Sequence, residues 1–348
     1  MSAFHTLRVA ALTAETADAC SIHLDIPPAL ASAFSYRPGQ FLTLRVQAGS
    51  ETLLRCYSMS STPGLDAGLR VTVKRVAGGR GSNALCDTLR AGDSIEVMPP
   101  AGLFSPPDVQ GDFLLFAGGS GITPVFSILR AALAQGTGQV RLIYANRDAA
   151  SIIFADALTQ LQAQYHPRLQ VLHWLDAQRG FANAKQLSDM AAPLHHAPAY
   201  ICGPAPFMDM AVQALHSLGT ALEHIHLERF TATAPALAPA NVTNNAAENA
   251  PDLPELMDDA QLHIELDGQH YQIDCGPNET VLEAALRHKV AAPYSCQAGM
   301  CASCMCQVTE GAVHLRHNDA LDAKDLARAW TLSCQAVPRS AVLRVKFP

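Results

Sequence analysis

No stretch of this sequence stays apolar for 18 residues, so no segment reads as a membrane-spanning helix. The opening residues, Met1-Ser2-Ala3-Phe4-His5, lack the charged start and apolar core of a secretory signal. Charge is scarce, and 24 basic against 31 acidic residues leave a net charge of −7. No basic stripe accompanies it, which argues against nucleic acid as a partner; acidity of this size serves ordinary solubility. Internal repeats are absent, so a solenoid is excluded. No paired acid and base and no Ser/His/Asp constellation stands out, so nothing points to hydrolysis. Disulfides are not expected either: ten cysteines in a chain without a visible signal read as thiols and metal ligands, and the expected compartment is the cytoplasm.

The cysteines that are present carry the strongest signal. Cys296, Cys301 and Cys304 form a C-x4-C-x2-C loop, and Cys334 follows after 29 further residues. This is the plant-type spacing for a 2Fe-2S cluster, in which four thiolates complete tetrahedral sulfur ligation of two irons. Gly299 and the small residues Ala298, Ala302 and Ser303 let the loop wrap closely and aim backbone N–H groups at sulfur. A structural zinc site is the competing reading, but its usual C-x2-C pairs do not suit the four-residue gap between the first two cysteines. Cys306 reads as a packed strand residue outside the ligand set.

At 348 residues the chain has room for two or three domains. Up to about residue 104 it alternates apolar and polar residues in short runs, such as 41–46, 69–76 and 94–98. Turn signals at Pro38-Gly39 and Pro63-Gly64 break these runs, as in a small antiparallel barrel. From 112 to about 230 a continuous apolar run at 113–117 is followed by further largely apolar strands at 140–145, 169–174 and 199–202, with helical stretches between them, the pattern of a parallel sheet. An Ala-, Pro- and Asn-rich segment, 231–259, reads as a flexible linker. Beyond it, Asp267-Gly268 marks a hairpin, and Thr280 with Glu283 has the spacing of a capping box.

Two further sets of residues suggest nucleotide chemistry. In the first unit Arg55-Cys56-Tyr57-Ser58 offers a cation, an aromatic and a hydroxyl along one strand, the groups a flavin needs. Gly78-Gly79-Arg80-Gly81-Ser82-Asn83 follows, with Ser82 or Asn83 expected to cap a helix over 84–89 and form an anion site for a pyrophosphate. In the second unit Gly118-Gly119-Ser120-Gly121-Ile122-Thr123-Pro124 joins a buried strand to a helix, so a dinucleotide phosphate can approach the backbone. Asn146-Arg147-Asp148 ends the next strand, where a ribose edge is read. Arg147 would favour a 2′-phosphate and Asp148 a 2′-hydroxyl, leaving NADH and NADPH both open. Cys202-Gly203-Pro204 ends another strand at the same edge, and Glu228-Arg229-Phe230 closes the unit, with Phe230 a candidate neighbour of the flavin.

Taken together these motifs resemble the ferredoxin–NADP reductase superfamily. The order flavin, nicotinamide and cluster resembles its oxygenase reductases of the phenylacetyl-CoA epoxidase type. Residues 144–148, 173–176, 202–208, 228–230 and 334–338 are similar in detail to the reductase components of 3-ketosteroid 9α-hydroxylases. The resemblance implies a multidomain α+β architecture: an FAD-binding antiparallel β-barrel at 1–108, an NAD(P)-binding α/β domain with a parallel sheet at 109–230, and a β-grasp 2Fe-2S ferredoxin domain at 260–348. It implies FAD rather than FMN, with Ser58 near flavin N5, Tyr57 beside the ring, and Arg55 and Ser82 on the phosphates. Cys56, Lys74, Gly79, Gly81 and Asn83 complete the expected flavin set. Gly118, Gly119, Gly121, Thr123, Pro124, Asn146, Arg147, Asp148, Cys202, Gly203 and Pro204 form the expected nicotinamide set and Phe230 the expected neighbour of the flavin, with Ser58, Thr123 and Cys202 expected to be catalytic.

NAD(P)H delivers a hydride, two electrons at once, whereas a cluster accepts one; a flavin can do both and belongs between them. A plant-type cluster near about −400 mV runs downhill to a Rieske centre at about −150 to +300 mV, so a Rieske-type oxygenase is the expected acceptor. A di-iron epoxidase or hydroxylase is the alternative partner, and a flavin and iron–sulfur redox sensor is the non-enzymatic alternative. Replacing Cys301 with Ser is expected to abolish cytochrome c reduction while NAD(P)H still bleaches the flavin band in stopped-flow absorbance. Survival of both activities would refute this order of carriers.

Overall fold

The computed structural model describes residues 4–102, 104–230, 259–294, 297, 299, 304–318, 320–321 and 323–347. They fall into two units, Met1–Phe230 and Thr231–Pro348. The expected linker lies outside the described residues apart from Asp259, as do the ligand candidates Cys296 and Cys301.

The first unit begins with a six-stranded antiparallel sheet: β1 (His5–Thr16), β2 (Ala19–Asp25), β3 (Phe41–Ala48), β4 (Glu51–Ser58), β5 (Leu69–Lys74) and β6 (Ser94–Val97), in the order β4-β3-β6-β1-β2-β5. Just past β4, Met59 bridges Val71 of β5 and brings the two edge strands together. Alternate residues point inward, so Leu7, Val9, Ile22, Leu24, Leu42, Leu44, Val71 and Val73 fill the interior. Helix α1 (Arg80–Thr88) lies on this barrel and buries Leu85. The helix starts earlier than the expected 84–89. Gly79 is its N-cap residue, and Ser82 sits inside the first turn, where its Oγ accepts the Val76 N–H at 3.2 Å.

The unit continues as β7 (Phe113–Gly118), α2 (Ile122–Gln135), β8 (Val140–Asn146), α3 (Ala155–Gln164), β9 (Leu169–Leu175), the single turn α4 (Asp176–Arg179), α5 (Ala184–Ala191), β10 (Ala199–Cys202), α6 (Ala205–Ser217) and β11 (Ile225–Glu228). All five strands are parallel, in the order β11-β10-β7-β8-β9. Every residue of β7 is buried because helices cover both faces: Leu115 and Ala117 pack with α2, and Leu114 and Phe116 with α5 and α6. The chain moves outward from β7 through β8 to β9, then returns to β10 on β7's other flank. Strand order therefore reverses between β7 and β10, and the crevice at their carboxyl ends is where such sheets bind ligands.

Barrel and sheet are joined by polar contacts. Arg130 of α2 forks onto both carboxylate oxygens of Asp66, which also accepts the Thr62 N–H at 2.7 Å. Ser127 Oγ donates to the Ser61 carbonyl at 2.6 Å. Each barrel group sits in the loop between β4 and β5, so that loop is fixed against α2.

The second unit opens with the hairpin β12 (Ala260–Leu266) and β13 (Gln269–Cys275), turned at Asp267 (φ 52°) and Gly268 (φ 75°). Helix α7 (Val281–Arg287), β14 (Met305–Glu310), β15 (Val313–Leu315), α8 (Ala323–Ala327), β16 (Trp330–Leu332), β17 (Ala336–Pro338) and β18 (Val342–Lys346) follow. The mixed sheet runs β13-β12-β18-β14-β16, with β12 and β18 parallel, while β15 and β17 form a separate pair. Helix α7 buries Val281, Leu282, Ala284 and Ala285. Its start is the expected capping box: Thr280 Oγ1 accepts the Glu283 N–H at 3.2 Å, and Glu283 Oε2 accepts the Thr280 N–H at 2.8 Å. Thr280→Ala should cost about 1 kcal/mol in urea unfolding followed by loss of the cluster's visible absorbance, with Thr280→Ser restoring most of it.

Candidate functional site

Three glycines shape the crevice between β7 and β10. A Cβ on Gly121 would lie 2.2 Å from the Cys202 carbonyl oxygen, and one on Gly118 would lie 2.7 Å from Pro204 Cδ. Gly203, at φ 156°, faces the Gly118 backbone, 2.8 Å from its nitrogen to the position of a Cβ. The turn after β7 and the turn after β10 therefore press backbone against backbone, at a distance that excludes any side chain. Gly119 takes a left-handed φ of 51° in the single 3-10 turn Gly119–Gly121, and its carbonyl accepts the Tyr144 hydroxyl at 3.1 Å. Thr123 and Pro124 are buried in the first turn of α2, with Thr123 Oγ1 donating to the Ser120 carbonyl at 3.1 Å.

The same edge gathers three polar side chains. Cys202 and Glu228 are register partners on β10 and β11, and both are buried. Ser58, at the end of β4, reaches across from the barrel and donates its Oγ hydrogen to Glu228 Oε2 at 3.1 Å. Burial pushes the Glu228 carboxyl up to about 8, with the Ser58 hydrogen bond a smaller opposing influence, so it holds its proton at neutral pH. Burial, and then the nearby Glu228 carboxyl, raise the Cys202 thiol well above its ordinary range.

A second cluster forms where α1 meets β4. A Cβ on Gly81 would lie 3.0 Å from Arg55 Cγ, so the Arg55 stem crosses the first turn of the helix. Arg55 and the N–H groups of that turn thus present positive charge together, the donor set a phosphate requires. Asn83 Nδ2 donates to the Val76 carbonyl at 3.4 Å and steadies the loop from below. Gly79 is equally constrained, because a Cβ there would meet Ser82 Oγ at 2.7 Å. Tyr57 is the register partner of Leu42 and packs on the barrel core, while Cys56 Sγ lies 3.5 Å from Thr43 Oγ1. Lys74 pairs with Asp18 at 3.8 Å, and its Nζ lies 3.6 Å from where a Gly119 Cβ would stand. It thus connects the end of β5 to the glycine turn.

At the end of β8, Asn146 is buried, and neither of its amide atoms makes a well-formed hydrogen bond among the described residues, although the group is near enough to the Tyr144 hydroxyl to influence it. A buried polar pair in this state fits a ligand-facing position. Arg147 and Asp148 hold each other at 2.9 Å, and Asp148 Oδ1 also accepts the Ser151 N–H at 2.9 Å. The Asp148 carboxyl is held below its ordinary range, first by Arg147. Phe230 is 46% exposed at the end of the unit, and Arg229 pairs with Asp209 at 2.9 Å.

In the second unit the Cys304 and Cys334 sulfurs approach to 3.2 Å, and both residues are buried. The Ser333 N–H donates to the Cys304 carbonyl at 3.0 Å, and the Leu282 N–H donates to the Ser333 carbonyl at 2.9 Å. Helix α7 and the two cysteine segments are therefore tied together. Gln335 Nε2 donates to the Gln297 carbonyl at 2.8 Å, fixing the loop between the first two cysteines to the segment of the fourth. Gly299 (φ 73°) leaves no room for a Cβ, which would meet the His317 carbonyl at 2.6 Å. Two converging thiols, with the bare backbone of Gly299 in the same loop region, fit an iron–sulfur cluster. Cys306 points into the sheet core, and burial raises its thiol, as suits a packed residue.

Comparison with known proteins matches this geometry to three family models: an oxidoreductase FAD-binding domain over residues 7–105, an oxidoreductase NAD-binding domain over 115–213, and a 2Fe-2S iron-sulfur cluster binding domain over 264–339. The ferredoxin reductase component of 3-ketosteroid-9-alpha-monooxygenase from Rhodococcus rhodochrous is 43% identical over 346 residues, covering 98% of this chain and 96% of that one. The chain belongs to the ferredoxin reductase components of monooxygenase systems. The reductase is also 36% identical to a component of the 1,2-phenylacetyl-CoA epoxidase of Escherichia coli strain K12, covering 100% of this chain and 98% of that one. Its fold matches the solved structure of a phthalate dioxygenase reductase, with a TM-score of 0.60 at 24% identity and full coverage of both chains. The reductase is thus an NAD(P)H-dependent oxidoreductase that uses FAD and a 2Fe-2S cluster and serves an oxygenase component. The expected antiparallel barrel, parallel sheet and ferredoxin-type domain are the observed architecture.

Glu228 was not among the expected site residues of this reductase. In sequence it is one acid in a closing triplet, and only the register of β10 with β11 brings it to Cys202 and Ser58. Its raised proton affinity has a consequence for stability. The folded chain retains a proton between pH 4.5 and about 8 that the unfolded chain has released, so stability declines as pH rises through that window. Glu228→Gln should remove the decline. Its melting temperature is expected to gain on the wild type from pH 5 to pH 8.5, by the equivalent of about 5 kcal/mol at most; a constant difference across that range would refute the assignment.

Proposed function

We propose that the reductase draws electrons from NADH and passes them to a Rieske-type oxygenase, with a steroid-ring hydroxylase of the 3-ketosteroid 9α type as the leading partner. The observation that carries this reading is the 43% identity that runs through all three functional regions to the Rhodococcus reductase. The phenylacetyl-CoA epoxidase relative, at 36%, supports the second reading, a di-iron epoxidase or hydroxylase partner. When bound, the flavin supplies the conversion between a two-electron donor and a one-electron acceptor.

The chain's own residues would divide the remaining work. We assign Arg55, Gly79, Gly81, Ser82 and Asn83 to the flavin phosphates, Tyr57 and Cys56 to the ring's surroundings, and Lys74 to the space between the two nucleotides. Gly118, Gly119, Gly121, Thr123, Pro124, Cys202, Gly203 and Pro204 would shape the nicotinamide crevice, with Asn146, Arg147 and Asp148 at its ribose edge, and Phe230 would lie by the flavin. Ser58 Oγ, hydrogen-bonded to a carboxyl that keeps its proton at neutral pH, would pass a proton as hydride moves. Cys296, Cys301, Cys304 and Cys334 would hold the cluster. Residues 1–108, 109–230 and 260–348 would be the three functional domains. Asp148 is the ribose ligand on this reading, and Arg147 orients it.

Reconstitution tests the partner and the nucleotide together. Purified reductase should support NADH-driven hydroxylation by a Rieske-type steroid hydroxylase, with a higher kcat/KM for NADH than for NADPH. Turnover only with a di-iron epoxidase would select the second reading, and an NADPH preference would reassign Arg147 to a 2′-phosphate.

A further inference from the structure

Two thiols outside the electron path meet where α1 packs on the barrel. Cys20 lies on β2 and Cys86 on α1, and their sulfurs are 3.3 Å apart. They are 66 positions apart in sequence, so tertiary packing alone creates the pair. Cys86 is held over the sheet, its Sγ 4.0 Å from the carbonyl of Val73, and Val73 is the cross-strand partner of Cys20. Both thiols are only partly buried and remain open to small solutes. The contact between the sulfurs favours Cys20 as the nucleophile. The shared hydrogen bond with Cys86 lowers the Cys20 thiol's proton affinity, with a further contribution from the Arg75 cation, and the same contact raises that of Cys86.

The pair also touches the flavin-side cluster. Cys20, Cys86, Ala84, Leu89 and Tyr57 all pack against one barrel core, and the Tyr57 hydroxyl senses charge on Cys86 and Cys20. Helix α1 carries Cys86 six residues after Arg80, and its first turn lies under the Arg55 stem. Any movement of α1 toward β2 therefore acts on Gly81, Arg55 and Tyr57 together.

We propose that Cys20 and Cys86 are an oxidisable dithiol, converted by hydrogen peroxide to a disulfide that pins α1 to β2 and lowers flavin-dependent turnover. Peroxide is the product when dioxygen takes two electrons and two protons from a reduced flavin, so a reductase idling without its partner would meet it. The Cys20 thiolate attacks one peroxide oxygen, the O–O bond breaks, and the leaving oxygen departs as hydroxide, leaving Cys20 as a sulfenic acid. The hydroxide takes up the proton that the Cys20 thiol gave up and becomes the first water. The Cys86 sulfur then attacks the Cys20 sulfur. The S–O bond breaks, the Cys86 proton and the released hydroxyl leave as the second water, and an S–S bond forms. Overall two thiols and one peroxide give one disulfide and two waters. The sulfurs must close from 3.3 Å to about 2.05 Å, a shift of roughly one ångström that a single helix can make.

The dithiol stands on its own geometry, whereas its effect on turnover rests on the flavin assignment above, and one experiment separates the two. Holoprotein is treated with hydrogen peroxide, remaining thiols are alkylated, and the digest is read by mass spectrometry. NADH–ferricyanide turnover, which does not depend on the cluster, is followed in parallel. The expected result is one linked peptide pair joining Cys20 to Cys86, reversed by dithiothreitol, with a several-fold reversible loss of turnover. Cys86→Ser should stop at a Cys20 sulfenic acid trapped by dimedone, and Cys20→Ser should form no link. Continued alkylation of both thiols after peroxide, or linkage of either to another cysteine, would overturn the dithiol. A Cys20–Cys86 bond with unchanged turnover would overturn its coupling to the flavin.

Discussion

The close approach of the turns after β7 and β10 is the constraint on which the site depends. A side chain at Gly121 would have to share space with the Cys202 carbonyl, and one at Gly203 would meet the Gly118 backbone. With both positions bare, the two strand ends close on each other, and Cys202 is presented at the reversal point of the sheet. Glu228 then follows from strand register, as the neighbour of Cys202 on β11. Ser58 follows from the docking of barrel against sheet, held by Asp66, Ser61 and Thr62 on one side and Arg130 and Ser127 on the other. A buried carboxyl that keeps its proton is the electrostatic result, because burial outweighs the hydrogen bond it accepts from the Ser58 hydroxyl.

Similar logic governs the cysteine segments of the second unit. Cys304 and Cys334 are 30 positions apart, yet their sulfurs approach because β14 and β16 pair and α7 anchors the intervening backbone at Ser333. Gln335 and Gly299 add a polar tie and a bare backbone position to the loop. The two thiols supply the chemistry, but a capped helix and a sheet supply the convergence.

Several features were legible before any coordinates. The Asp267-Gly268 hairpin and the Thr280–Glu283 box appear where expected, because each depends on local backbone preferences and hydrogen bonds a few residues apart. The continuous apolar run at 113–117 became the fully buried central strand, since helices on both faces leave no polar side. The start of α1 was misplaced. Gly79 caps it and Ser82 instead serves the Val76 N–H, a choice between two nearby donors that composition does not decide. The strand β1 went unread because bulges near Ala11 and Thr16 break its alternation.

The sequence by itself determined the carriers and their order. Cysteine spacing, glycine-rich turns and strand periodicity each encode a local requirement, and local requirements survive in a string of letters. Only the tertiary structure decided which distant groups share an environment. Glu228 became a proton-holding acid, Arg55 came to lie over Gly81, and Cys20 met Cys86 because strand register and helix docking fix positions across tens to more than a hundred residues. Burial and mutual distance set the chemistry of such groups, and neither is a property of any residue's neighbours in the chain.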